Sequence, residues 1–235
     1  MKHLVLVPGL NNTPAIWEPV VAALQPRLGP GWQIHCPMMQ ARHTTDEVAR
    51  DLLDALPERF AYAGFSFGGY VGMAMLEAAA ERVDAFALIC SSSRGEAEAA
   101  RPMRQRAIEI AEAGGYLPLM AKNHANTVHP DRVDDPDILA RREAMLAGYG
   151  AERFIAHMRA CMVRPDRTAL LSALRVPRLL IAAEQDKVVP AAQMRAIADE
   201  IPGLSCIRID HSGHLLPLEQ PAALANALAG WLAPV

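Results

Sequence analysis

Phe60-Ala61-Tyr62-Ala63-Gly64-Phe65-Ser66-Phe67-Gly68-Gly69 leads an apolar run directly into a serine with a glycine two residues away on either side. The run has the length and continuity of a buried strand, and the apolar segment beyond Gly69 reads as a helix. The serine therefore falls on a strand-to-helix turn, the setting in which G-x-S-x-G presents a nucleophile. A serine in so sharp a bend adopts a strained backbone, and the flanking glycines remove β-carbons that would clash. The helix start directs free N–H groups and a positive dipole end towards negative charge developing beside Ser66. Without chemistry, the same pattern is a turn that packs a helix closely on a sheet.

Short apolar runs recur on both sides of this turn, at 4–7, 33–36, 60–64, 85–90, 178–183 and 205–209, with Gly, Pro, Ser or Asp close behind. Most lack polar alternation, as parallel strands covered on both faces do. Helical patterns lie between them. The clearest covers 46–56, where Thr44 and Glu47 have capping-box spacing and Val48, Leu52, Leu53 and Leu56 share a face. Others follow Thr13-Pro14, begin just after Ser66, and cover roughly 219–232. The alternation predicts an α/β fold with a doubly wound, mainly parallel sheet of about six strands and a site at their carboxyl ends.

The alternation breaks over 94–172, where helical patterns divided by Pro102, Pro118, Pro130, Pro136 and Pro165 predict about four helices and no strand. Its 12 basic and 11 acidic residues make it a mixed-charge helical cap. The expectation is one domain, 1–235, with this cap as an insertion.

The bulk properties set limits on partners. A chain of 235 residues, 51% hydrophobic, is long enough for one substantial core. A net charge of −3 offers no field for nucleic acid or an anionic membrane, which leaves a small molecule as the expected partner of a monomer or homodimer. Cys36, Cys90, Cys161 and Cys206 are widely spaced and form no C-x-x-C pair, so buried reduced thiols are expected. Met1, Lys2 and His3 lead directly into Leu4, with no signal-peptide pattern, and a cytoplasmic location is the expectation.

A nucleophilic serine needs a base, an acid to orient the base, and donors for the oxyanion. Of eight histidines, His214 lies in Asp210-His211-Ser212-Gly213-His214, a polar loop between the last strand and the last helix. His124, His129 and His157 fall in the insertion, and His211 is the nearest competitor. For the acid, Ala182-Ala183-Glu184-Gln185-Asp186 supplies two carboxylates; Asp186, deeper in the turn, is preferred, with Glu184 second and Asp210 a weaker third. This gives the chain order Ser, acid, His. Val7-Pro8-Gly9-Leu10 follows the first strand, so the Leu10 and Phe67 amides are the candidate oxyanion donors.

Together, Val7-Pro8-Gly9, Gly64-Phe65-Ser66-Phe67-Gly68-Gly69, Asp186-Lys187-Val188-Val189-Pro190 and Ser212-Gly213-His214 resemble the α/β-hydrolase superfamily across nearly the whole chain outside the insertion. Within it, the chain is similar to small carboxylesterases, enol-lactonases and carrier-protein methyl esterases, in which a helical insertion roofs the site. The resemblance implies no cofactor and no metal. It also implies that the antiparallel strands opening many members are missing here. Pro8 stands where related enzymes often have histidine, which leaves a backbone donor at Leu10 unaffected. Relatives that carry aspartate at the position of Ser66, the dehalogenases and epoxide hydrolases, are set aside. The expected activity is hydrolysis of a small carboxylic ester through Ser66, His214 and Asp186. A lyase or C–C bond hydrolase acting on a keto acid, and a non-catalytic receptor on the same scaffold, are the alternatives. Trp17, Phe65 and Phe67, with Met103, Met120, Met145 and Met158, are the residues that would line an apolar acyl pocket, and Arg94 the one that would meet an acidic substrate.

Overall fold

A computed structural model describes residues 1–235. Six strands form one sheet: β1 (Lys2–Val7), β2 (Trp32–His35), β3 (Phe60–Phe65), β4 (Val83–Ile89), β5 (Arg178–Ala183) and β6 (Ser205–Ile209). Their order is β2-β1-β3-β4-β5-β6, and every neighbouring pair is parallel. The chain runs outward from β1 to β2, returns to β3 on the other side of β1, and continues in that direction to β6.

The unbroken apolar runs follow from burial on both faces. Successive side chains point to opposite sides of a strand. Val5, Val7, Tyr62, Phe86, Leu88, Leu180 and Ala182 enter one core, beneath α2 (Thr45–Ala55), α3 (Phe67–Ala79) and α8 (Ala191–Glu200). Their neighbours Leu4, Leu6, Ala61, Ala63, Phe65, Ala87, Ile89 and Ile181 enter the other, beneath α1 (Glu18–Leu28) and α10 (Pro221–Leu232). β2 and β6, at the edges, are largely exposed or half-buried. β4 begins two residues before the expected 85, because Val83 pairs with Phe60 ahead of a register shift that sets Ala61 against Ala85.

At α2 the capping box closes in both directions: Glu47 N–H donates to Thr44 Oγ1 at 3.2 Å, and Thr44 N–H to a Glu47 carboxylate oxygen at 3.0 Å. Such caps are worth about 1 kcal/mol. The face carrying Val48, Leu52 and Leu53 is buried, as the spacing predicts.

Between β4 and β5 the chain forms α4 (Arg101–Glu112), α5 (Tyr116–Lys122), α6 (Pro136–Val163) and α7 (Thr168–Ala173), with no strand. Gly150, at φ 80° and ψ 160°, breaks α6 into two helical segments, a bend the sequence pattern did not announce. These helices bury a small core of their own, including Ile108, Tyr116, Met120, Leu146, Phe154 and Met158. Met145 packs into the sheet core and Met103 is exposed, so the insertion's methionines fill cores or face solvent. A short helix, α9 (Leu216–Glu219), follows His214. No helix is long and apolar enough to cross a membrane.

Candidate active site

The carboxyl ends of β1, β3, β4, β5 and β6 converge on Ser66. The serine follows β3 and starts α3 with φ 50° and ψ −115°, a region that side chains other than glycine rarely occupy. Its backbone is fixed on both sides: Ser66 N–H donates to the Ile89 carbonyl at 2.9 Å, and the buried Ser91 hydroxyl donates to the Ser66 carbonyl at 2.7 Å. A β-carbon on Gly64 would sit 2.5 Å from the Gly68 carbonyl oxygen, and one on Gly68 would meet the Val7 carbonyl oxygen. The turn therefore closes only with glycine at both places. Asn11, Cys90 and His211 also have positive φ, and all four such non-glycine residues lie beyond the carboxyl ends of strands.

The His214 ring lies between Ser66 and Asp186. Nε2 is 2.9 Å from Ser66 Oγ, and Nδ1 is 2.7 Å from Asp186 Oδ2. The other Asp186 oxygen accepts from the Val188 and Val189 amides at 2.7 and 2.9 Å. A carboxylate offers no proton, so His214 Nδ1–H is the donor and Nε2 is left to accept from Ser66. Ser66, Asp186 and His214 are all at least nine-tenths buried. Glu184 is drawn instead to Arg208, at 2.7 Å, and Asp210 accepts from Gln185 and the His211 amide at the exposed surface. His211 lies beside His129, away from the serine.

The loop carrying His214 is clasped from two sides. Gly213 N–H donates to Glu219 at 2.9 Å, while the other Glu219 oxygen accepts from the His129 amide of the insertion. Leu215 N–H donates to the Thr127 carbonyl, also in the insertion, and Gly213 lies so close to Val128 that any side chain there would collide with backbone. Neither Ser91 nor Glu219 was legible as a site residue, because both act through partners distant in sequence.

A cavity of about 140 Å³ opens at Ser66 and His214. Leu10 and Phe67 line it, and neither amide makes a hydrogen bond, so both donors are free to serve an oxyanion. The insertion contributes Arg104, Thr127, Arg142 and Cys161. Trp17 and Phe65 do not line it. They are fully buried and meet edge to face at 6.3 Å, with Phe65 also supporting the His214 ring at 5.2 Å. Arg94 is exposed and paired with Glu200, outside the cavity. The apolar aromatics near the motif are thus support beneath the site, and the lining is more polar than expected.

Cys90, Asp186 and His214 bring potential metal ligands within 4.8 Å of one another. Burial and the neighbouring Asp186 carboxylate hold the Cys90 thiol well above its ordinary pKa. Asp186 and His214 are already joined to each other.

His157 ties the insertion to the turn. Its Nε2–H donates to the Gln40 carbonyl at 2.7 Å, Nδ1 accepts from the Tyr149 hydroxyl, and the ring stacks on Phe67 at 4.6 Å. Burial pushes its pKa down to about 4. An unfolded histidine protonates near 6.5, so between these values the unfolded chain binds more protons and stability falls as the pH drops. We expect His157 to account for a loss of about 1.4 kcal/mol per pH unit across this window. Urea titrations at pH 7, 6 and 5 should give a shallower dependence for His157→Gln than for the parent, and parallel curves would exclude the effect.

Residues 4–227 match the model of a family described as the alpha/beta hydrolase family. A relative named "Putative carbamate hydrolase RutD", from Azorhizobium caulinodans, is 24% identical over 97% of this chain and 90% of its own length. Rhodomycin D methylesterase DauP from a Streptomyces species is 35% identical, over 40% of this chain and 32% of its own. Among solved structures, a thermophilic esterase from Thermogutta terrifontis superposes with a TM-score of 0.90 at 23% identity, covering 100% of this chain and 90% of that one.

Proposed function

Because the chain belongs to the alpha/beta hydrolase family and is a hydrolase, we propose that it cleaves a small carboxylic ester, with Ser66 as nucleophile, His214 as general base and Asp186 as the residue that orients it. The observation that carries this reading is the continuous array from Asp186 Oδ2 through His214 to Ser66 Oγ, at 2.7 and 2.9 Å. His214 Nε2 takes the hydroxyl proton as Ser66 Oγ bonds to the ester carbonyl carbon. The free Leu10 and Phe67 amides receive the charge that moves onto the carbonyl oxygen. The C–O bond to the alcohol then breaks, and His214 returns the proton to the leaving alkoxide. Water, activated by the same nitrogen, bonds to the acyl carbon and frees Ser66 together with the carboxylic acid. Asp186, held by two amides, keeps Nδ1 protonated and stabilises the imidazolium formed at each step.

Of the relatives above, two are named as esterases, which favours an ester over a carbon–carbon bond as the scissile group. The cavity's volume favours a short substrate. The expected result with p-nitrophenyl acetate is a burst of p-nitrophenol equivalent to the enzyme present, with a fluorophosphonate probe labelling Ser66 and abolishing turnover. A protein that releases no p-nitrophenol and takes no label would rule the reading out.

A further inference from the structure

The cavity at Ser66 contains a cation with no counter-ion. Arg142, on α6, is only 7% exposed and lines the cavity together with Ser66, His214 and the Leu10 and Phe67 residues. It forms no salt bridge and donates no hydrogen bond to a protein group. The Tyr116 phenol near it offers no charge, since burial pushes its pKa up, and its hydroxyl donates to Asn11 Oδ1 at 3.2 Å. Glu143, the next residue, is exposed and unpaired with it.

Taking a guanidinium out of water is costly unless an anion and hydrogen bonds replace the solvent. The other buried arginine and two half-buried ones are provided for: Arg167 meets Asp46 and Glu77, and Arg104 and Arg164 share Glu96. At Glu96 two cations share one carboxylate, and one of them, Arg104, also lines the cavity. Arg142 also borders a second cavity of about 470 Å³, with mostly apolar walls including Leu117, Leu139 and Leu146, and is the residue common to both. A planar guanidinium with five donors, facing a space that opens onto the nucleophile, fits a carboxylate in bidentate fashion.

We propose that Arg142 anchors a carboxylate on the substrate, so that the ester attacked by Ser66 is a half-ester of a short dicarboxylic acid. This rests on the hydrolytic reading above and names its substrate class. Water and the half-ester give the dicarboxylate and an alcohol, with no other reactant. The small volume of the cavity that Arg142 shares with Ser66, about 140 Å³, is what points to a short acid.

Two measurements test the anchor separately from the hydrolysis. In the first, kcat/KM is compared for monomethyl and dimethyl succinate and for the corresponding glutarates. The parent enzyme should favour the better-fitting half-ester by about 10- to 150-fold, the range of a charge-assisted hydrogen bond. In Arg142→Gln and Arg142→Met the ratio should fall to about one, chiefly through KM, with Arg142→Lys retaining part of it. In the second, calorimetric binding of the same half-ester to Ser66→Ala should weaken by a similar factor when Arg142→Gln is added. Fluorophosphonate labelling of the single Arg142 variants checks that the site is assembled. Equal preference for half-ester and diester in the parent, or equal losses on both in the variants, would overturn the anchor while leaving the hydrolase reading intact. Arg142-dependent binding with no turnover of any ester would do the reverse.

Discussion

Replacing Ser66 with alanine is expected to lower kcat on a p-nitrophenyl ester about a millionfold, the scale seen when a serine nucleophile is lost. What remains should come from the Leu10 and Phe67 amides and from substrate binding, which still act on a water-attacked ester. The fold should survive, because the hydroxyl's one hydrogen-bond partner is His214 Nε2, at 2.9 Å, whereas the turn is held through the Ser66 backbone, by the Ile89 carbonyl and the Ser91 hydroxyl. Alanine must adopt the same strained φ of 50°. Ser66→Gly, equally inactive, is free of that strain and should melt above Ser66→Ala, by about 1 kcal/mol in stability. Turnover, probe labelling and thermal melts of the three proteins measure these effects. Ser66→Ala retaining activity within tenfold of the parent would remove the serine from the mechanism.

Asp186→Asn should cost about ten-thousandfold in kcat with little effect on folding. The Val188 and Val189 amides require an acceptor at Oδ1, so asparagine keeps its carbonyl oxygen on them and turns its NH2 towards His214 Nδ1. A donor facing a donor is relieved only if Nδ1 gives up its proton. The proton then sits on Nε2, and the ring can no longer accept one from Ser66. Glu184→Gln and Asp210→Asn provide the comparison, since each acid is engaged elsewhere, with Arg208 and with Gln185. Both should retain nearly the parental rate. A loss at Glu184→Gln as large as that at Asp186→Asn would transfer the acid's role.

What the sequence revealed and what it hid divide along physical lines. The central strands, the α2 cap and the turn at Ser66 were legible because each is written in adjacent residues: unbroken apolar runs, a Thr44/Glu47 spacing, two glycines. The start of β4 was not, because a register shift against Phe60 decides it. The choice among Asp186, Glu184 and Asp210 as neighbour of His214 depends on which carboxylate faces the ring, and short sequence distances could only rank them. The lining of the cavity was the least legible. Trp17 and Phe65 had the apolar character expected of a pocket, yet that same character buries them in the sheet's core. Arg142 looked like one arginine among many in a mixed-charge helix, and its lack of a partner emerges only once α6 is folded over Ser66.

The clasp around His214 bears on how this scaffold can be rebuilt. Leu215 bonds Thr127, Gly213 packs on Val128, and Glu219 joins Gly213 to His129. The histidine's loop is thus moulded by a piece of the roof, and the two are not interchangeable modules. A chimera that imported a foreign roof to change specificity would have to keep residues 124–129 of this chain, or bring the donor's 211–219 counterpart with it. Cut elsewhere, it would inherit a new pocket and misplace His214.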